Sequence, residues 1–155
     1  MDLSDLIAPE AVIPALKANS KKQVLQIMAE KAASLTGLDE RTVLDTVLQR
    51  EKLGSTGVGN GIAIPHSKLA NVDHIIGVFA RLETPVDFEA LDDEPVDLVF
   101  LLLVPESAGA DHLKALSRIA RVLRDNDMVQ KLRNTRDAAA IHTFLTQHPA
   151  ASNAA

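Results

Sequence analysis

Residues 54 to 66 read G-S-T-G-V-G-N-G-I-A-I-P-H, placing glycines at 54, 57, 59 and 61 before a proline and a histidine. An imidazole is a good nucleophile near neutral pH, because its ordinary pKa of about 6.5 leaves a lone pair free. A ring that takes up a phosphoryl group also needs donors for the transferring oxygens. The sequence puts several within reach of His66: the backbone N–H groups of Gly57, Gly59, Asn60 and Gly61, the hydroxyls of Ser55 and Thr56, and the guanidinium of Arg50. On this reading His66 is a nucleophile that carries phosphorus. His112 is the second candidate. In the first turn of a helix, the positive end of the dipole would lower its pKa and keep it neutral, able to donate a hydrogen bond to His66 or to a phosphoryl oxygen.

Plainer readings stand beside these. The glycines could make only a tight turn and a bulged strand. His66 could be a histidine satisfied by a backbone carbonyl, His112 could simply begin a helix, and Arg50 could be a solvated helix-end charge. Nucleotide binding fits poorly: the spacing at 57, 59 and 61 is not G-x-G-x-x-G, and no Gly-Lys-Ser/Thr follows. His66, Asp73, His74, Asp111 and His112 include metal-ligand types, yet no H-E-x-x-H or similar spacing fixes them together. His142 and His148 read as surface or structural.

The elements that must position these residues follow from periodicity and punctuation. Ala11 to Leu16 is apolar but contains Pro14, which suits an edge strand. Ser20 and Gln23 have capping-box spacing, and Val24, Ile27, Met28 and Leu35 mark a helix face that Gly37 can close. Asp39 caps the next helix, with Val43, Leu44, Val47 and Leu48 on one stripe, and Arg50 at its end is delivered to the glycine stretch. Ile62 to Ile64 is a short strand that Pro65 stops, since proline offers no N–H and biases Ile64 towards extended backbone. Ser67 to Asp73 reads as a loop and Ile75 to Leu82 as a strand. Glu83 to Pro95 contains six carboxylates and two prolines and reads as a solvated connection. Asp97 to Val104 is nearly all apolar, as expected of a strand covered on both faces. Asp111 then caps a helix bearing His112, Leu113, Leu116, Ala120 and Leu123; two shorter helices follow Asn126 and Thr135. The expected class is α/β, one domain with a mixed central sheet flanked by helices on both faces. It should span residues 1–149, with 150–155 a disordered tail.

Composition narrows the function classes. The chain has 155 residues, 46% apolar and 24% charged, the balance of a soluble globular domain. A formal charge of −5 argues against sequence-independent nucleic-acid binding. With no Tyr or Trp, base-stacking platforms are poorly supplied. With no cysteine, disulfides, thiolate metal sites and thiol nucleophiles are excluded, which suits a reducing cytoplasm. The acidic N-terminus lacks the basic region of a secretory signal, and Leu98 to Val104 falls far short of the roughly 20 apolar residues a membrane helix needs. The expected location is cytoplasmic, without membrane insertion.

The run G-S-T-G-V-G-N-G-I-A-I-P-H-S-K-L resembles the phosphorylation-site stretch of the mannitol/fructose-type enzyme IIA domains of the bacterial phosphotransferase system, and within them the nitrogen-regulatory branch. The likeness continues through Pro85-Val86-Asp87-Phe88, Pro95 to Phe100, Val104-Pro105 and the His112 to Ala120 stretch. The resemblance implies a mannitol-type IIA fold, His66 as the residue phosphorylated through Nε2, His112 as the second active-site histidine and Arg50 as the positive group beside it. It implies no cofactor, since the donor bond is already activated, and a phosphocarrier rather than a turnover enzyme. The implied donor is a small histidine phosphocarrier of the HPr type (NPr). The implied targets are regulatory, such as potassium transporters or sensor kinases. Two other outputs stay open: a sugar-specific IIA subunit passing phosphate to a separate IIB subunit, and a docking module without phosphotransfer. Ser67 departs from the Gly or Ala usual after the histidine.

Overall fold

The computed structural model describes residues 3–147 of the chain, so the expected tail at 150–155, and His148, lie outside the described residues. Two 3-10 turns, Leu3–Asp5 and Pro9–Ala11, lead into β1, Val12–Leu16. Two helices follow, α1 over Lys21–Thr36 and α2 over Glu40–Leu53. Ser20 caps α1 by accepting from the Gln23 N–H at 3.2 Å, while Gln23 Oε1 accepts from Asn19 N at 2.7 Å, a capping box closed one residue early. Gly37 ends the helix in the left-handed region at φ 79°. Asp39 caps α2 through the Thr42 N–H at 3.0 Å.

Three short strands come next: β2 over Gly57–Gly59, β3 over Ile62–Ala63 and β4 over His66–Leu69. Then come β5 over Ile76–Val86 and β6 over Val96–Pro105. The chain finishes with α3 over Ala110–Val122, α4 over Asn126–Arg133 and α5 over Ala138–Gln147. The six strands form one mixed sheet, as the sequence predicts. Its order is β1-β5-β6-β3-β2, with β4 also paired to β6. β1 lies at the edge, parallel to β5, where Pro14 is tolerated.

β6 is the axis. Leu98 to Val104 are consecutive and wholly buried, and successive side chains of a strand point to opposite faces, so both faces are covered. β5 runs antiparallel to β6, opposing Phe79 to Phe100 with ring centroids 6.0 Å apart in an edge-on contact. Along the other side of β6, β3 pairs with Leu98 and Val99 and β4 with Leu102 to Pro105, both parallel. The segment read as stopped at Pro65 therefore resumes at once. Ser67 to Leu69, expected in a loop, is strand.

Two other expectations shift. β5 continues past Leu82 to Val86, across a register irregularity between Arg81 and Val86 that accommodates Pro85. Within the connection read as solvated, Phe88 and Ala90 are buried. The cap of α3 is Gly109, not Asp111, which lies one residue inside the helix.

Gly77 faces Phe100 so closely that a Cβ there would stand 2.7 Å from Phe100 Cε1 and 3.3 Å from the Leu6 carbonyl. Phe100 is fully buried and cannot swing away. Gly77→Ala should therefore lower stability by about 1–3 kcal/mol through overpacking. Chemical denaturation checks this, and a variant as stable as the parent would count against a rigid β5–β6 core.

Candidate functional site

His66 opens β4, directly after the proline, and is half-buried. Its Nδ1 lies 2.9 Å from the Ile64 carbonyl oxygen. A carbonyl only accepts, so Nδ1 bears a proton, and in the neutral ring Nε2 keeps its lone pair. The carbonyl contact expected of a merely structural histidine is thus present, and it leaves the other nitrogen free for chemistry.

The second imidazole is beside it. The rings of His66 and His112 have centroids 5.4 Å apart and planes tilted by 53°. His112 sits in the first turn of α3, as expected. Burial pushes its pKa down, and the neighbouring His66 and Lys68 push it further in the same direction. Neutrality was expected from the helix dipole; desolvation is the leading cause found. Its Nε2 is buried without a hydrogen-bond partner among the described residues. Lys68, two residues beyond His66 on β4 and exposed, shares the outward side of that strand.

The glycine stretch is a hairpin between β2 and β3. Asn60 at φ 58° and Gly61 at φ 80° turn it in the left-handed manner of an Asn-Gly hairpin. The turn is tied down from two sides. The Asn60 N–H donates to Asp92 at 3.0 Å, and together with the Glu94 N–H it holds the Asp92 carboxyl below its ordinary range. Arg133, at the end of α4, donates to the Asn60 carbonyl at 2.6 Å and pairs with Asp97 at 2.8 Å. A Cβ on Gly61 would run into both Arg133 and Asp97.

The other expected phosphate ligands have partners of their own. Ser55 Oγ donates to the Phe88 carbonyl at 2.5 Å. Thr56 donates through its hydroxyl to Glu51, and through its N–H to both Glu51 oxygens at 3.2 and 3.3 Å. Gly57 N–H donates to Ser55 Oγ at 3.0 Å, and a Cβ at Gly57 would stand 2.7 Å from the Ala90 Cβ. Arg50 Nη1 donates to the Gly54 carbonyl at 3.0 Å, fixing the exit of α2 at the start of the loop. Of the residues singled out in the sequence, then, the structure brings His66 and His112 side by side, with their rings tilted. The two hydroxyls and Arg50 meet backbone or Glu51 instead.

Glu51, Asp92, Asp97 and Arg133 were not singled out, although they fix this region. His74, a possible metal ligand by type, pairs with Asp73 at 2.5 Å on the surface. Among the described residues, no three His, Asp or Glu side chains gather as a metal site. His142 Nε2 bonds the Ile7 carbonyl at 2.9 Å and is structural, as read. A cleft of about 590 Å³ between α1 and α2, lined by Lys21, Leu48 and Glu51 among others, has no histidine in its wall.

A mixed sheet of this order, with an imidazole on β4 beside one on α3, has the mannitol-type enzyme IIA fold. One chain of a complex of mannitol enzyme IIA with phosphorylated enzyme IIB from Escherichia coli matches 92% of this chain and 100% of its own length, with TM-score 0.78 at 21% identity. A nitrogen regulatory protein IIA-Ntr from Neisseria meningitidis matches at TM-score 0.88 and 33% identity, over 93% of this chain and 99% of its own. A nitrogen regulatory protein of Bradyrhizobium diazoefficiens is 63% identical over 150 residues, covering 97% of this chain and 98% of the relative. The family model described as phosphoenolpyruvate-dependent sugar phosphotransferase system, EIIA 2, matches residues 5–148, and the chain belongs to that family, in its nitrogen-regulatory branch. Among the described residues no helix is long and apolar enough to cross a membrane.

The lowered pKa of His112 has a measurable consequence. Between that lowered value and about 6.5, the unfolded chain binds a proton that the folded protein does not. Stability therefore rises with pH through this window, is fully present above about pH 6.5 and falls as acid is added. His112→Gln should flatten the dependence of the urea midpoint on pH in this window. An unchanged slope would mean that the imidazole is not held neutral by its surroundings.

Proposed function

We propose that this protein is a phosphocarrier in which His66 Nε2 accepts a phosphoryl group from the phosphohistidine of an HPr-type (NPr) protein. The observation that carries the reading is the Nδ1 contact with the Ile64 carbonyl, which leaves Nε2 as the nucleophilic nitrogen 5.4 Å, ring to ring, from His112. The donor's P–N bond breaks and its electron pair returns to the donor ring. The new bond forms from the Nε2 lone pair, and the proton on Nδ1 stays where it is. Positive charge then develops on the His66 ring, and the Ile64 carbonyl is aligned to stabilise it. No cofactor enters this step.

Docking of the donor excludes water and aligns the rings in line with phosphorus. The unpartnered Nε2 of neutral His112 is the donor for a phosphoryl oxygen. Arg50 serves as the nearby cation from the α2 terminus.

The output on this reading is regulatory. A phosphoryl group adds about −1.5 to −2 of charge beside His112 and Lys68 and so changes which proteins can dock. The 63% identical relative, a nitrogen regulatory protein, supports that output. Potassium transporters and sensor kinases are the target classes to test.

Incubation with phosphoenolpyruvate, the first enzyme of the system and an HPr-type protein should add one acid-labile, alkali-stable phosphate by intact mass. His66→Ala should gain none. His112→Ala should accept phosphate on the order of a hundred- to a thousand-fold more slowly. A labile phosphate on His66→Ala would place the acceptor elsewhere.

A further inference from the structure

A buried carboxylate stands behind the glycine hairpin, in a position that ordinary helix electrostatics disfavour. Glu51 lies in the last turn of α2, at the negative end of the dipole, and its side chain is only 4% exposed. Such a group is tolerated where donors meet it. Here the donors are the Lys21 ammonium at 3.0 Å, the Thr56 N–H and the Thr56 hydroxyl. Lys21 is itself fixed, half-buried, by Glu89 at 3.4 Å and by lying 5.6 Å from the centre of the Phe88 ring.

The bonds continue from Thr56 to the histidine. The Thr56 carbonyl accepts from the Ile64 N–H at 3.0 Å, and the Ile64 carbonyl accepts from His66 Nδ1 at 2.9 Å. Between them, Pro65 confines Ile64 to extended backbone, so anchoring its N–H also aims its carbonyl. On the far side the Pro65 carbonyl accepts from Leu102 N at 2.9 Å. The carbonyl that selects the His66 tautomer is thus clamped from β6 on one side and, through Thr56, from Glu51 on the other.

We propose that Glu51 is a positioning residue for His66: through Thr56 and the Ile64 backbone it keeps the ring proton on Nδ1 and the lone pair on Nε2. Free neutral histidine in water favours the opposite tautomer, with the proton on Nε2. Without the clamp, the ring would drift towards that form and lose the nucleophilic nitrogen. This inference rests on the phosphocarrier reading for its purpose, although not for its geometry. Lys21 holds the carboxylate in turn, which links the start of α1 to the tautomer of a ring on β4.

The test reads the tautomer in unphosphorylated protein. With ¹⁵N-labelled histidine, long-range ¹H–¹⁵N correlation well above the imidazole titration range should show His66 protonated on Nδ1. In Glu51→Ala the ring should move towards the Nε2–H form. Transfer from the HPr-type donor should fall on the order of ten- to a hundred-fold at saturating donor, with the half-saturating donor concentration little changed. Glu51→Gln, which retains an oxygen for Thr56, should recover most of the Nδ1–H form. A folded Glu51→Ala protein with the parent tautomer and rate overturns the proposal. Should that variant fail to fold, Glu51→Asp, whose shorter side chain draws the carboxylate back from both the Thr56 N–H and hydroxyl, takes its place, and a parent tautomer and rate there overturn the proposal equally. If the tautomers shift as stated while the parent protein takes up no phosphate, the phosphocarrier reading fails and the positioning role stands.

Discussion

Leu102 donates its N–H to the carbonyl of Pro65 at 2.9 Å, and the site depends on that bond. A proline between two strand segments removes a donor from the sheet and would ordinarily release the chain. Here β3 has already paired with Leu98 and Val99, and β4 resumes at once on Leu102 to Pro105. The backbone is therefore held to one central strand on both sides of the break. β6 can serve as that rail because Leu98 to Val104 are packed on both faces. The interruption is thus a local feature on a rigid support. It frees the Ile64 carbonyl from the ladder just where the next side chain but one is an imidazole.

The sequence made the framework legible and concealed the join. Ser20, Gly37 and Asp39 announce their helix ends because capping is local: donor and acceptor lie within four residues. The β6 strand is legible because burial on both faces leaves an unbroken apolar run. β4 was not, because His66 and Lys68 face outward and the parallel partner lies more than thirty residues further along the chain. Four residues containing a histidine, a serine and a lysine carry no strand signal of their own. Pro85 misled in the same way, since its strand tolerates it only through an irregular register with β6. Phe88 was an apolar residue lost among carboxylates, and its burial comes from tertiary packing alone.

The site divides along the same line. His66 and His112 could be singled out because imidazoles are few and each stood next to a structural signal. That they lie side by side at 5.4 Å follows from the sheet and α3 together, which no local pattern specifies. The hydroxyls of Ser55 and Thr56 look like phosphate donors in the sequence because they sit among glycines. Their hydrogens go to Phe88 and Glu51, residues that fix the loop. One local sign could have pointed to Glu51: an acidic side chain in the last turn of a helix opposes the dipole and calls for a compensating partner. Arg133 and Asp97 gave no comparable sign, being joined across 36 positions to grip a turn that belongs to neither.

The division between a rigid support and an accessible ring suits transfer between proteins. A pocket enclosed by this chain alone would keep water from the phosphoryl group but would also keep out the donor's imidazole. A half-buried ring on a strand avoids that conflict if the partner supplies the missing wall. Two large apolar side chains are left outward on the elements that flank the ring: Val58 on β2, 60% exposed, and Leu113 on α3 directly after His112, 67% exposed. Both would gain by being covered, at about 25 cal/mol for each Å² of apolar surface removed from water. The hydrogen bonds that orient His66, by contrast, lie within the chain and need no partner. On the proposed phosphocarrier reading, orientation would therefore be settled before docking and exclusion of water would come with it, so the same ring could meet more than one protein surface without changing its tautomer.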